Sequence, residues 1–306
     1  MEWNSTGDYK LVIGKIIKGI AGVYEVYTEN AGVWECKPKG IFRNQKIKPL
    51  VGDNVELELL DLEKKQALIV EIMPRKNTLI RPAVANVDQA VIVFAVKDPE
   101  PNWNLLDRFL ILMKKQNLPV VICFNKIDLI SEEDCIEIEK GYRNSGYEIT
   151  FLSARKEIGT QQLKSILEKK TTVLAGPSGV GKSTLVNLLQ SNVIMETGAV
   201  SEKIKRGKHT TRHSEFIWLN ESTYVLDTPG FSSLEIEEVE AEELKEYFPE
   251  FLLLEQSCRF RGCIHENEPD CAVKKAVKEG IIARRRYDSY LLLYRDLKGK
   301  KKYKLR

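Results

Sequence analysis

Residues 176–184 read Gly176-Pro177-Ser178-Gly179-Val180-Gly181-Lys182-Ser183-Thr184. The first eight fit the phosphate-loop pattern G-x-x-x-x-G-K-[ST]. The apolar run before them predicts a strand over Thr172–Ala175, and the pattern from Ser183 onward predicts a helix. Glycines let a loop aim its N–H groups at phosphate oxygens, and the helix presents its positive N-terminal end to the same anion. We therefore expect Lys182 to contact the β and γ phosphates of a nucleotide and Ser183 to hold Mg²⁺, although a chance match in a glycine-rich turn is the alternative.

Two segments further along the chain fit the remaining phosphate-side elements. Asp227-Thr228-Pro229-Gly230 follows an apolar strand, so that Asp227 can hold Mg²⁺ through water and the Gly230 N–H can face the γ-phosphate. Between the two loops, the stretch Gly207–Thr211 stands in the position of a first switch. One of its two threonines should complete the Mg²⁺ coordination when a nucleoside triphosphate is bound. Thr211 is slightly favoured, but the sequence does not separate it from Thr210.

Base selection is predicted from Asn125-Lys126-Ile127-Asp128, which follows the apolar strand Val120–Phe124. The Asp128 carboxylate can accept from both the ring N–H and the exocyclic amine of guanine, whereas adenine offers no matching pair of donors. Lys126 can lie over the base, and Asn125 can tie the loop to the phosphate side. One βαβ unit later, Ser153-Ala154 matches the backbone element that supports the other edge of guanine. The alternative is a helix-capping loop without a ligand.

The order of these motifs along the chain is unusual. They resemble those of the Ras-like GTPases, in which the phosphate loop comes first and the base-recognition motifs come last. Here the base-recognition motifs precede the phosphate loop. A circular permutation preserves the site, because all these loops project from the same edge of one parallel sheet. It also joins whatever follows residue 235 directly to the second switch.

The flanking patterns predict a multi-domain chain. In the first part, Val55, Leu57 and Leu59 alternate with glutamates, which is typical of a small all-β barrel or sandwich. From about residue 88, five strand-like runs (91–96, 120–124, 147–152, 172–175 and 224–226) alternate with helical patterns (105–116, 132–144, 161–169 and 183–189). This alternation indicates a doubly wound α/β sheet. A charged helical region follows. We expect domains at 1–74, 75–235 and 236–306.

Three cysteines and a histidine lie within fourteen residues, as Cys258-x₄-Cys263-x-His265-x₅-Cys271. Four such ligands suit a closed, tetrahedral structural Zn²⁺ site. A disulfide would leave one cysteine over. A Cys-His nucleophile is conceivable, but no other feature of the segment supports that chemistry. The sequence therefore predicts one structural zinc ion in a helical C-terminal domain.

Composition and charge exclude several classes of protein. The hydrophobic content of 43% is sufficient for packed cores, the start of the chain lacks the order of a secretory signal, and no apolar run approaches the length of a membrane span. Together with the unpaired cysteines, this favours a cytoplasmic protein. The net charge is only +3, but six of the last nine residues are basic and Arg284–Arg286 lie upstream. Such a tail is usually a solvated chain end, but beside the other evidence we expect both groups to contact nucleic-acid phosphates.

The whole chain resembles the circularly permuted, ribosome small-subunit-dependent GTPases. The resemblance rests on the permuted order, the GPSGVGKST stretch at 176–184, the G-x-H-T-T stretch at 207–211 and the Cys-Cys-His-Cys set. It implies that the N-terminal barrel is an OB-fold and that the protein is largely monomeric. It also implies a role in late maturation of the small ribosomal subunit, in contact with its rRNA.

The residue that would orient the attacking water departs from the Ras-like pattern. Ordinary members place a Gln just after D-x-x-G, whereas Phe231 stands there and cannot form a hydrogen bond. His209 is the nearest candidate, since an imidazole can accept or donate a proton at neutral pH. Alternatively His209 is an exposed switch residue or contacts rRNA. The rival functions are an RNA-binding scaffold that hardly hydrolyses GTP and a metabolite kinase, and the guanine motif argues against the kinase.

Overall fold

The computed structural model describes residues 11–44, 47–80, 82–197, 216–220, 222–227, 236 and 239–304. For residues 43, 191–197, 227 and 300–304 it describes the backbone alone. The chain divides into two compact units. One comprises residues 1–88, 167–173 and 186–229, and the other comprises residues 89–166, 174–185 and 230–306. The expected domain boundaries at 74 and 235 stay a prediction.

A closed five-stranded barrel forms the N-terminal part, with the strand order β1-β2-β3-β5-β4. Its pairs are antiparallel except for the parallel pair β3–β5. This order is that of an OB-fold, as expected. The short helix α1 (Ile41–Asn44) follows the third of the barrel strands, which are β1 (Leu11–Ile20), β2 (Val23–Thr28), β3 (Gly32–Pro38), β4 (Asn54–Asp61) and β5 (Gln66–Ile72).

The alternation predicted for β4 is visible in its burial. Val55 and Leu57 are fully buried in the barrel, together with Ile16 and Ile69. Leu59 is only partly buried, because the register between β4 and β5 shifts just after it. The inward side chains of successive strands thus fill the barrel as the period-2 pattern requires.

The central part is a six-stranded sheet with the order β10-β9-β8-β11-β13-β12. Strands β8, β9 and β10 are parallel neighbours, and β12 pairs antiparallel with β13. The sequence predicted the other five strands but not β12. A two-stranded hairpin of β6 (Thr78–Leu79) and β7 (Val84–Ala85) precedes the sheet, whose strands are β8 (Gln89–Ala95), β9 (Val120–Asn125), β10 (Glu148–Phe151), β11 (Thr171–Ala175), β12 (Phe216–Asn220) and β13 (Thr223–Asp227).

Among the described residues, four α-helices lie between these strands: α2 (Trp103–Lys115), α3 (Glu132–Lys140), α4 (Thr160–Leu167) and α5 (Lys182–Thr197). Helix α3 begins with a capping box, in which Ser131 accepts from the Asp134 N–H and the Asp134 side chain accepts from the Ser131 N–H. The helix ends at Lys140, four residues earlier than the pattern predicts. The last turn tightens there, since the Ile138 and Glu139 carbonyls accept from the N–H groups of Gly141 and Tyr142. Arg285 also donates to the Ile138 carbonyl.

The C-terminal part contains a 3₁₀ segment (Ala241–Tyr247) and the helices α6 (Pro249–Glu255), α7 (Ala272–Lys278) and α8 (Arg284–Lys304). Its core is aromatic: Phe248 and Phe251 stack on each other, and both meet the edge of Tyr290. Cys263 and Cys271 belong to the same buried cluster. The helical character expected after residue 236 is thus present. None of the described helices is both long enough and apolar enough to cross a membrane.

The arginines at the start of α8 differ from the expectation. Arg286 is 1% exposed and bound to Asp107 and Glu250, so it cannot contact nucleic-acid phosphates, and that expectation is wrong. Arg285 is half-buried. Arg284 is exposed and paired with Asp288. The side chains of Lys300–Lys302 lie outside the described residues.

Candidate nucleotide site and metal centre

The phosphate loop lies between the end of β11 and the start of α5, as expected. Two of its glycines are required by close contacts. At Gly176, which has a φ of +143°, a Cβ would lie 2.1 Å from the Val93 carbonyl oxygen. At Gly181, with a φ of +95°, a Cβ would lie 2.4 Å from the Asn125 side-chain nitrogen. The loop therefore keeps its shape only with glycine at both positions.

Lys182 is buried at the first position of α5. Its ammonium group donates to the carbonyl oxygens of Gly176 and Pro177, at 2.8 and 2.7 Å. A phosphate oxygen is a stronger, charged acceptor for the same group than a neutral carbonyl. Ser183 and Thr184 follow in the first turn of the helix, where both are exposed. The charge and the helix N-terminus are thus next to each other.

Asn125 joins three of the predicted motifs. It is the last residue of β9 and is only 2% exposed. Its side-chain nitrogen donates to the Val180 carbonyl of the phosphate loop at 2.8 Å. Its side-chain oxygen accepts from the N–H groups of Lys126, at 2.8 Å, and of Ala154, at 3.0 Å. The phosphate loop and the two predicted base elements therefore meet at one buried amide.

The remaining base residues lie around this amide. Lys126 has a left-handed φ of +68°, and its ammonium group donates to the Gly179 carbonyl of the phosphate loop at 2.8 Å. Asp128 is exposed, and one of its carboxylate oxygens accepts from the Ser153 hydroxyl. The sequence predicted only a backbone role for Ser153 and did not reveal the contact of its hydroxyl with Asp128. The available signal was a hydroxyl side chain in one base element and a carboxylate in the other.

Several predicted residues cannot be placed. His209, Thr210, Thr211, Gly230 and Phe231 lie outside the described residues. Asp227 ends β13, and its backbone alone is described. The structure therefore brings together the base-recognition motifs and the phosphate loop, and it leaves the two switch segments undescribed.

The predicted metal ligands form a compact cluster. The ligand atoms of Cys258, Cys263, His265 and Cys271 all lie within 4.8 Å of one another. The Cys258 sulfur lies 3.9 Å from the Cys271 sulfur and 3.7 Å from Nδ1 of His265. Zn–S bonds of about 2.3 Å in a tetrahedron place two sulfurs about 3.8 Å apart. The cluster has the size of a tetrahedral site and can hold a metal ion.

Burial disfavours charge on this cluster in the absence of a metal. It lowers the pKa of His265 to about 4, and Lys245 acts in the same direction. It also raises the pKa of the Cys263 thiol to about 12. A neutral imidazole is ready to coordinate, and a divalent cation supplies the charge that would stabilise buried thiolates.

A frame of hydrogen bonds around the cluster was not predicted from the sequence. Although burial opposes its ionisation, Glu268 has a lowered pKa because its carboxylate accepts from backbone N–H groups, including that of Ile264 at 2.8 Å. The hydroxyls of Tyr287 and Tyr290 donate to the carbonyls of His265 and Ile264. These contacts fix the loop that carries the histidine, whose φ of +62° is left-handed.

Comparisons with known proteins agree with this geometry. The family model described as RsgA GTPase matches residues 72–237, and the one described as RsgA N-terminal domain matches residues 13–69. Two relatives are named small ribosomal subunit biogenesis GTPase RsgA. The one from Agathobacter rectalis is 53% identical and the alignment covers 95% of this chain and 99% of the relative. The one from Alkaliphilus metalliredigens is 51% identical, with the same coverage.

Two solved structures are similar over almost the whole chain. The circularly permuted GTPase YloQ is 38% identical with a TM-score of 0.76, and the match covers 97% of this chain and 99% of that one. YjeQ from Thermotoga maritima is 37% identical with a TM-score of 0.76, at 95% and 99% coverage. Both the family models and the full-length relatives lead to one assignment. The chain belongs to the RsgA GTPase family.

Proposed function

We propose that this protein hydrolyses GTP in maturation of the small ribosomal subunit, with the permuted motifs forming its nucleotide site. The observation that carries the proposal is the buried Asn125 amide, which holds the phosphate loop and both base elements together. A site preorganised in this way binds a nucleotide at its base and its phosphates at once. The names of the full-length relatives supply the small ribosomal subunit as the partner.

Guanine selection is assigned to Asp128. Its carboxylate is exposed and oriented by Ser153, so it can accept both donors of a guanine ring. Lys126 lies between the base loop and the phosphate loop, where its stem can cover the base. Asp128→Asn should weaken GTP binding and favour xanthine nucleotides, whose ring presents the complementary pattern. Competition of GTP, ATP and XTP for one site tests this, and equal binding of ATP and GTP by the unmodified protein contradicts it.

The phosphates and Mg²⁺ are assigned to the other end of the site. Lys182 would bind the β and γ phosphates, and the Ser183 hydroxyl would hold Mg²⁺ together with Asp227 and one of Thr210 and Thr211. Mg²⁺ supplies the charge that stabilises the transferring phosphoryl group. The Gly230 N–H would face the γ-phosphate.

Water activation is assigned to His209, because Phe231 occupies the position of the usual Gln. Without that Gln we expect slow intrinsic turnover, which rises when the small subunit orders the switches. By reciprocity, GTP should strengthen subunit binding relative to GDP. The rival is an RNA-binding scaffold that barely hydrolyses GTP, which Phe231 would also suit. Such a scaffold shows no rise in turnover with subunits.

The remaining parts of the chain receive accessory roles. The cluster of Cys258, Cys263, His265 and Cys271 would hold one structural Zn²⁺. The OB-fold and the basic C-terminal lysines would contact rRNA, since open barrel faces and basic tails bind nucleic acid. We further propose that the protein acts as a monomer in the cytoplasm, where it meets the ribosomal subunit.

A further inference from the structure

An aromatic cluster lies directly behind the two base elements. Phe124 immediately precedes Asn125, and its ring packs on Phe151, Trp103 and Tyr142, with centroids 5.3, 6.1 and 6.2 Å away. The Phe124 carbonyl also accepts from the N–H of Leu152, the residue before Ser153. Phe124 is therefore connected to both segments that are assigned to guanine, by the chain to Asn125 and by its carbonyl to Leu152.

The C-terminal helix α8 reaches this cluster through Arg285. The guanidinium lies over the Trp103 ring, 4.3 Å from its centroid, and 5.3 Å from the centroid of Tyr142. It also donates to the Ile138 carbonyl at the end of α3, where a cation is favourable to the helix dipole. Stacking on an aromatic face together with a hydrogen bond fixes the planar group in one place.

The chain leaves room for this guanidinium at Gly141. A Cβ built there would lie 1.6 Å from one Arg285 nitrogen and 2.1 Å from its central carbon. The φ of Gly141 is −63°, which any residue adopts without strain. Alanine at position 141 would therefore displace the arginine without disturbing the local backbone.

A neighbouring ion cluster fixes the start of α8. The buried Arg286 guanidinium is bound to Asp107 of α2 and to both oxygens of Glu250 of α6, and the Tyr142 hydroxyl donates to Asp107 at 3.3 Å. Buried charges of this kind hold their partners in one geometry, because any displacement leaves a charge unpaired. The backbone next to Arg285 is consequently fixed, which holds the guanidinium against Trp103 and Tyr142.

We propose that Arg285 is a positioning residue for guanine recognition, which holds Trp103 and Tyr142 against Phe124 and so keeps the loop from Asn125 to Asp128 in its binding geometry. The inference rests on the proposed guanine site. It makes the C-terminal helix a determinant of nucleotide affinity through the base rather than through the phosphates. A displacement of α8 then changes the affinity for both GDP and GTP.

Weakened contacts to the base and weakened contacts to the phosphates should affect KM and kcat differently. Contacts to the base are the same in the ground state and in the transition state, so weakening them raises KM and leaves kcat unchanged. We expect Arg285→Ala to weaken GTP and GDP binding by about 3- to 10-fold each, the usual range for coupling through packed side chains. The preference for GTP over ITP, which lacks the exocyclic amine read by Asp128, should narrow. The kcat should stay within about 2-fold.

The experiment measures GDP, GTP and ITP affinities and steady-state hydrolysis for the full-length protein and four variants. Gly141→Ala should reproduce the effect of Arg285→Ala, and the double variant should be no worse than either single one, because both remove the same contact. Arg108→Ala is the matched control. Arg108 also joins α2 to α8, through Asp296, but it touches no ring of the cluster. It should leave all three affinities unchanged.

Three results would overturn the inference. They are unchanged affinities in both Arg285→Ala and Gly141→Ala, a fall in kcat without a rise in KM, or an equal effect of Arg108→Ala. Circular dichroism and urea unfolding of each variant establish whether it is folded. If Arg285→Ala does not fold, Gly141→Ala tests the same contact. Failure of the proposed guanine site itself is distinguishable, since the unmodified protein would then show no preference for GTP over ITP.

Discussion

Replacing Asn125 with alanine tests whether one buried amide organises the nucleotide site. The side chain makes three hydrogen bonds, at 2.8, 2.8 and 3.0 Å, while 2% exposed. A neutral hydrogen bond contributes about 0.5–1.5 kcal/mol net, so the three together contribute about 1.5–4.5 kcal/mol. All of them hold loops that would bind the nucleotide. We therefore expect the loss to fall mainly on affinity, with GTP and GDP binding weakened about 100-fold, which corresponds to about 2.7 kcal/mol.

The assay is displacement of a fluorescent GDP analogue by GTP and by GDP, with urea unfolding in parallel. Asn144→Ala is the control, because the exposed Asn144 makes one hydrogen bond, to the Ile281 carbonyl, and contacts neither loop. It should bind both nucleotides normally. Affinities of Asn125→Ala within about 3-fold of the unmodified protein would refute the reasoning, since a preorganised site cannot lose this amide at so small a cost.

Two further predictions concern the C-terminal part. Protein purified without chelators should carry about one Zn²⁺ per chain, as metal analysis will show. Cys263→Ser should release this ion and unfold the C-terminal helices, as circular dichroism will show, while GTP binding weakens by no more than about 10-fold, the loss expected from Arg285→Ala. Arg286→Ala should lower the free energy of unfolding by about 3–5 kcal/mol at pH 8. Burial already raises the pKa of Asp107 in the folded state, and loss of Arg286 should raise it further. A raised carboxyl pKa favours the folded state at low pH, so the deficit should shrink toward pH 5 in urea titrations. A deficit that is equal at both pH values counts against this.

The parts of the site that could be predicted from the sequence depend on short, local spacing. The phosphate loop needs its glycines and lysine within eight residues, and the four metal ligands lie within fourteen. The contact of Asn125 with the phosphate side followed from its place at a strand end. The roles assigned to these residues stay predictions.

The parts that could not be predicted depend on distant residues. Three consecutive arginines indicate a solvated charged run, yet Arg286 is buried because it pairs with Glu250 and Asp107. These two partners lie 36 and 179 positions away in sequence, so the local pattern does not reveal them. The last turn of α3 likewise has a distant partner, because Arg285 lies 147 positions beyond the Ile138 carbonyl to which it donates. Strand β12, which was missed from the sequence although its first four residues are apolar, is the antiparallel edge strand beside β13. Local pattern carries no information on such partners.

The most direct test of the account is GTP turnover by one preparation with and without purified small ribosomal subunits. The account predicts slow turnover by the protein alone and a clear rise when subunits are added, which His209→Ala should abolish while GTP binding remains. The same turnover with and without subunits would contradict the claim that this protein is a GTPase activated by the particle it helps to mature.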